Sequence, residues 1–142
     1  MRGARAFAWV AVLFAGFGCA SVVVEDEAVD VPGCEITRIV DGDTVDVDCG
    51  GGVDRVRLMG FDTPETFRAH CASEAARARA AERYLAGEIA RARAVDFAFQ
   101  GRDRFDRRLA VMRVDGRDIA DVMVGAGHAR VYDGGRRQGW CG

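Results

Sequence analysis

The 142-residue chain contains no lysine; all 20 of its basic residues are arginine. Beside so much alanine, this reflects the composition of the gene and carries little functional weight. No apolar run is long enough to cross a bilayer: residues 6–17 fall short of the ~18 residues a spanning helix needs. There is no Cys-x-x-Cys pair, and His70 and His128 stand alone in the sequence. That argues against a zinc centre and against a two-histidine acid–base pair. Internal repeats are missing as well, which excludes a repeat architecture. Nor is there a surplus of positive charge. Without Arg2 and Arg5, 18 arginines face 22 acids, a net of −4, which argues against blanket binding to polyanions.

What is present is unevenly placed. Residues 21–54 hold ten acids and one arginine, whereas residues 68–108 hold ten arginines and six acids. One part is suited to gathering cations and the other to meeting phosphate. Such asymmetry supports a reading found by other means and does not establish one.

The length bounds the fold to one domain with one core. Arg2 and Arg5, the apolar run after them and the small residues Gly18-Cys19-Ala20 have the layout of a secretory signal peptide over residues 1–20. A lipid-anchored variant through Cys19 is the weaker reading, because Gly16 and Phe17 do not suit it. Export, to the periplasm or the medium, is therefore expected. Residues 21–32 read as an acidic flexible linker and residues 33–142 as the folded domain. Four cysteines then remain, Cys34, Cys49, Cys71 and Cys141, and an even count in an exported domain favours disulfides. Spacing alone leaves three pairings open. Cys34 and Cys49 are, however, equidistant from the Asp41-Gly42 turn, so they face each other if that turn closes a hairpin. Cys71 and Cys141 would then pair and tie the chain's end to the start of a helix.

Alternation of apolar residues predicts strands at 36–40, 45–48, 53–59, 95–99 and 109–114, with a short last strand within 128–132. On the third of these, Arg55 and Arg57 share one face and Val56 and Leu58 the other. Residues 73–93 are free of proline, and Ala81, Leu85 and Ile89 recur at helical spacing, with Ser73 as candidate N-cap. Asp118 can cap a second, short helix that stops at Gly125 and Gly127. Three strands, helix, two strands, helix and strand suit a mainly β domain with flanking helices: a five-stranded Greek-key barrel of the OB type.

Four segments carry chemistry: Asp41-Gly42-Asp43-Thr44, Arg57, Asp62-Thr63-Pro64-Glu65 and Asp103-Arg104-Phe105-Asp106-Arg107. Aspartates are hard oxygen ligands suited to Ca²⁺ or Mg²⁺, and a carboxylate off the metal can act as a base. Arginine meets phosphate with two parallel hydrogen bonds and stays charged. Taken singly, the aspartates are ordinary turn formers and the arginines ordinary strand residues. Arg77, Arg79, Arg83, Arg91 and Arg93 read as the solvated face of the first helix.

In motif order and spacing, residues 39–129 resemble the staphylococcal nuclease (thermonuclease) family, with its DGDT turn, an arginine five residues before DTPE and a downstream D-x-Y-G-R element. The resemblance implies hydrolysis of phosphodiesters in DNA and RNA, preferably single-stranded or frayed, with limited base preference and 3′-phosphate products. It implies Ca²⁺ (Mg²⁺ would also suit the ligands) on Asp43, Asp62 and the carbonyl of Thr63, with Asp41 close behind. Arg57 and Arg107 would hold the phosphoryl group, and Glu65 would be general base. Arg104, Phe105 and Tyr132 would contact substrate, and the molecule would act as a monomer. Phe105 stands where the family has tyrosine, and Asp106 where it has glycine, a change expected to alter the turn. The same barrel without chemistry would be a nucleic-acid-binding module; the full set of carboxylates and arginines favours the enzyme.

Overall fold

The structure, a computed structural model, describes residues 29–30 and 33–142. The expected signal peptide, residues 1–20, and most of the expected linker lie outside the described residues. Nine strands and two helices follow in order: β1 Val29–Asp30, β2 Glu35–Asp41, β3 Thr44–Asp48, β4 Val53–Leu58, β5 Gly60–Asp62, α1 Ala72–Arg91, β6 Val95–Arg102, β7 Arg108–Val114, β8 Arg117–Asp118, α2 Ile119–Gly125 and β9 Arg130–Tyr132. The five longest strands, β2, β3, β4, β6 and β7, match the expected barrel strands. β9 falls within the short last strand expected at 128–132, and short β1, β5 and β8 are additions. Val29–Asp30, inside the segment read as linker, pairs with the edge of β6.

The main sheet runs β1-β6-β7-β4-β3-β2, with β8 on β7, and a second sheet pairs β5 with β9. Two antiparallel units, β2-β3-β4 and β6-β7, are joined by a parallel pairing, β4 with β7. This is the mixed, mainly β arrangement with two helices expected of an OB-like domain. Val45 and Val47 of β3, Val56 and Leu58 of β4, Phe97 of β6 and Ala110, Met112 and Val114 of β7 are fully or almost fully buried. Each of the larger side chains contributes about 1.5–3 kcal/mol by leaving water.

The opposite face of β3 and β4 is polar. Asp46 is paired in register with Arg38 on one neighbouring strand and Arg55 on the other. Both arginines donate to its carboxylate at 2.9 Å. A row of three alternating charges thus laces three strands together.

α1 buries Ala78, Ala81 and Leu85, but its cap is not Ser73. Cys71 is the extended residue before the first turn, and its Sγ accepts the Glu74 amide at 3.4 Å. The sulfur can take the cap because its disulfide holds it there, whereas Ser73 already lies within the first turn. α2 starts as expected, with Asp118 accepting the Ala120 amide at 2.9 Å. Both expected disulfides are formed, Cys34–Cys49 and Cys71–Cys141. The first closes the open end of the β2–β3 hairpin. The second spans 70 residues and straps the C-terminal segment to the head of α1. Constraining a loop of that length stabilises by about 4 kcal/mol in the chain-entropy account.

Gly42 fixes how α1 meets the hairpin tip. A Cβ there would sit 2.9 Å from the Ala81 Cβ and 2.9 Å from the Thr63 side chain. Only hydrogen fits, so helix, tip and the Thr63 loop converge on one point.

Candidate active site

That point of convergence holds the acidic residues. Asp41 ends β2, and its Oδ1 accepts the Asp43 amide at 3.1 Å, the local bond that closes the turn. Asp43 is buried; its Oδ1 accepts the Thr44 hydroxyl at 3.0 Å and its Oδ2 the Thr63 amide at 3.1 Å. The second bond ties two segments that lie 20 residues apart. Burial first, and the charge of Asp43 second, push the Asp41 carboxyl up to about 7.

Arg57 faces the same tip from β4 and is 5% exposed. Its guanidinium donates to the carbonyls of Asp43 at 3.2 Å, Leu58 at 2.6 Å and Phe61 at 3.0 Å. It also lies 3.3 Å from Asp43 Oδ2 and 3.7 Å from Asp62 Oδ1. A charge this deep is tolerated because carbonyls and carboxylates surround it on several sides. Arg57 is therefore the hub of the site and no ordinary strand arginine.

Asp62 ends β5 and is equally buried. Its Oδ2 accepts the Trp140 indole N–H at 3.4 Å. Its Oδ1 lies 3.1 Å from Nε of Arg137, in an ion pair, yet receives no hydrogen bond. Burial raises the Asp62 carboxyl above its ordinary value, against the pull of Arg137. Arg137 also donates to Glu65 Oε1 at 3.0 Å, so one guanidinium bridges the two carboxylates. Its own burial disfavours its charge, but Asp62, Asp43 and Glu65 keep it firmly protonated.

Beside this cluster opens a cleft of about 1140 Å³ whose walls include Arg57, Glu65, Arg104, Phe105, Arg107 and Tyr132. Six of the expected site residues thus share one concavity. Arg107 is held by Asp103, with Nε to Oδ2 at 2.8 Å. Burial would raise the Asp103 carboxyl, but the Arg107 side chain and the amides of Arg107 and Phe105 outweigh it and lower it. Phe105 is 64% exposed, with the guanidinium carbon of Arg104 4.7 Å from its ring centroid. Asp106 takes φ +61°, the left-handed region that glycine enters freely, and its carbonyl accepts Arg102 Nη1 at 2.7 Å. The left-handed position is thus occupied by an aspartate here. Tyr132 spends its hydroxyl on the Gly135 carbonyl at 2.8 Å, leaving its ring on the cleft wall.

Sequence reasoning missed three contributors. Arg137 and Trp140 reach Asp62 from a segment without regular secondary structure, and no motif marks them. Phe67, 77% exposed, lines the cleft with Arg55 and Arg68. Its signal was a lone aromatic in a polar loop directly after Asp62-Thr63-Pro64-Glu65.

The donor set fits a hard divalent cation: Asp43 and Asp62 are buried carboxylates beside Thr63, and Asp62 Oδ1 is a buried oxygen with no hydrogen-bond donor. Among the described residues, the one trio whose potential ligand atoms all lie within 4.8 Å is Cys71, Glu74 and Cys141. Its sulfurs are spent in a disulfide, so it is no metal centre. Asp43 and Asp62 are not in such a trio; Asp43 accepts from Thr44 and Thr63, and Asp62 from Trp140.

Residues 55–139 match the family model described as staphylococcal nuclease homologue. The chain belongs to that family. The matched stretch takes in Arg57, Asp62–Glu65, Asp103–Arg107 and Arg137, and begins after the Asp41–Thr44 turn. Among curated relatives, the SPbeta prophage-derived endonuclease YokF of Bacillus subtilis is 34% identical over 108 residues, 74% of this chain and 35% of the relative. Endonuclease YncB of the same organism is 31% identical over 99 residues, 68% of this chain and 46% of the relative. A thermonuclease of Staphylococcus intermedius is 52% identical over 33 residues, 23% of this chain and 20% of the relative. The chain thus matches less than half the length of each.

Proposed function

We propose that this chain is a cation-assisted nuclease that hydrolyses phosphodiester bonds of DNA and RNA. The observation that carries the reading is the buried junction of Arg57 with Asp43 and Asp62, beside an arginine-lined cleft with Glu65 on its wall. The names of the endonuclease and thermonuclease relatives support it. Asp43, Asp62 and the carbonyl of Thr63 would hold Ca²⁺, or Mg²⁺, with Asp41 behind them; bound there, the ion supplies positive charge for a non-bridging phosphate oxygen and acidifies water. Arg57 and Arg107 stabilise charge developing on the phosphoryl group, Arg107 in the orientation Asp103 imposes. Glu65 takes the proton of the attacking water, which then bonds to phosphorus as the ester oxygen leaves. The resemblance points to breakage at the 5′-oxygen, leaving a 3′-phosphate.

Arg104, Phe105 and Tyr132 bind the flanking nucleotide. A base must leave its stack to reach the Phe105 ring, so single-stranded or frayed substrate is favoured and the monomer suffices. No described helix is long and apolar enough to cross a membrane. The two disulfides suit an oxidising compartment, in keeping with export through the N-terminal segment.

The test is digestion of single-stranded DNA and of RNA with Ca²⁺, with Mg²⁺ and with excess chelator, beside Glu65→Ala and Arg107→Ala. Metal-dependent cleavage lost in both variants is the expected result. A folded, oxidised protein that binds the strands without cutting them would replace the enzyme by a binding module.

A further inference from the structure

Arg137 enters the site from the C-terminal strap, four residues before the Cys71–Cys141 bridge. The strap is held directly after it. Arg130 donates to the Gly139 carbonyl at 2.9 Å and lies over the Trp140 ring at 3.8 Å, while Arg77 reaches the Trp140 carbonyl at 3.4 Å. Behind Glu65 lies a smaller cavity of about 210 Å³, lined by Asp62, Thr63, Glu65, Glu74 and Trp140, in which Arg137 is the one arginine. Arg137 and Glu65 line both this cavity and the large cleft.

We propose that Arg137 is a positioning residue that acts as an internal counter-cation: it neutralises Asp62 and Glu65 and must give up Asp62 before a divalent cation takes that carboxylate. This rests on the metal reading above. Three features support it. The Arg137–Asp62 contact is an ion pair without a hydrogen bond to Oδ1, so it is readily exchanged for a stronger ligand interaction. The Arg137 side chain is 37% exposed, unlike Arg57 at 6%, so moving off Asp62 does not require it to leave a closed core. Its second contact, to Glu65, does not involve the ligands and keeps it at the site when Asp62 is released; the Tyr132 ring, 5.6 Å away, offers a further surface.

The sign of the effect separates this role from a merely structural one. Loosening the strap would weaken or leave unchanged the affinity for a cation. Removing a competing positive charge tightens it. Calorimetric titration of substrate-free protein with Ca²⁺ should therefore show Arg137→Gln binding about three- to tenfold more tightly than the unmodified chain. Arg137→Lys, which keeps the charge, should stay near the unmodified value. Arg136→Gln, an exposed neighbour with the same change in net charge, should match it too. Thermal melts of each protein establish that it is folded. Unmodified protein that binds Ca²⁺ while Arg137→Gln binds equally or less tightly overturns the proposal and leaves the metal reading standing. If none of the four binds Ca²⁺ or Mg²⁺, the metal reading fails and this inference with it. Equal tightening in Arg136→Gln would reduce the effect to overall charge and also overturn it.

Discussion

Replacing Arg57 by methionine removes the cation from the centre of the site while keeping most of the side-chain volume. Asp43 and Asp62 stay buried, with their carboxylates 3.3 Å and 3.7 Å from where the guanidinium was. Three carbonyls lose a charged donor, although that of Asp43 still accepts the Leu58 amide at 2.9 Å. Breaking a buried pair by removing one partner costs about 3–5 kcal/mol, chiefly because the surviving charge is left uncompensated. Arg137 still faces Asp62, and the apolar methionine restores some packing. The expected loss is therefore about 4 kcal/mol, or about three decades in the folding equilibrium. Against a total stability of about 5–15 kcal/mol, the variant sits near the edge of folding. Urea denaturation at pH 7 in chelator, followed by circular dichroism, measures it. Arg57→Lys keeps a charge but loses the planar fork, and should fall between the two proteins. A loss below about 1 kcal/mol for Arg57→Met would refute the reasoning, for Arg57 would then act as a solvated surface arginine despite its contacts. A corollary concerns activity: a silent Arg57 variant is informative only where the protein is shown to be folded.

Gly42→Ala drives a methyl against Ala81 and Thr63, both at 2.9 Å, and should cost about 1–3 kcal/mol by urea denaturation; Gly51→Ala, with open space around it, is the control. The Arg55 hydrogen bond, reinforced by Arg38 and opposed by burial, lowers the Asp46 carboxyl below its ordinary value. A depressed folded value stabilises above the unfolded pKa and is lost as pH falls through the folded one. The gap between the unmodified protein and Asp46→Asn should thus be level above about pH 5, of order 1 kcal/mol, and close progressively below about pH 4. A gap that persists at pH 2 would contradict the ion-pair account. Phe67→Ala and Phe105→Ala should each weaken binding of a single-stranded oligonucleotide by about 1–3 kcal/mol with unchanged melting temperature. Unaltered affinity would remove that ring from the substrate path.

Local and periodic features were legible in the sequence. Alternation located β2, β3, β4, β6 and β7 because a strand with one buried face must repeat every two residues. The Asp41–Thr44 turn implied a hairpin and with it the Cys34–Cys49 bridge, but its tip is Gly42-Asp43 rather than Asp41-Gly42, and two register shifts between β2 and β3 are what bring the two cysteines opposite each other. Asp41–Thr44, Arg57, Asp62–Glu65 and Asp103–Arg107 were readable because each is a short string at set spacing, and the resemblance arose from their order. Tertiary structure alone decided the rest. Arg57 became a buried hub because the hairpin tip and the end of β5 close over it. Cys71 displaced Ser73 as the cap of α1 because a bridge to Cys141 holds its sulfur at the helix end. The partners Arg137–Glu65 and Trp140–Asp62 lie 72 and 78 residues apart in the chain. No repeat or local propensity connects residues so distant, and they meet only because the disulfide-held strap returns across the site.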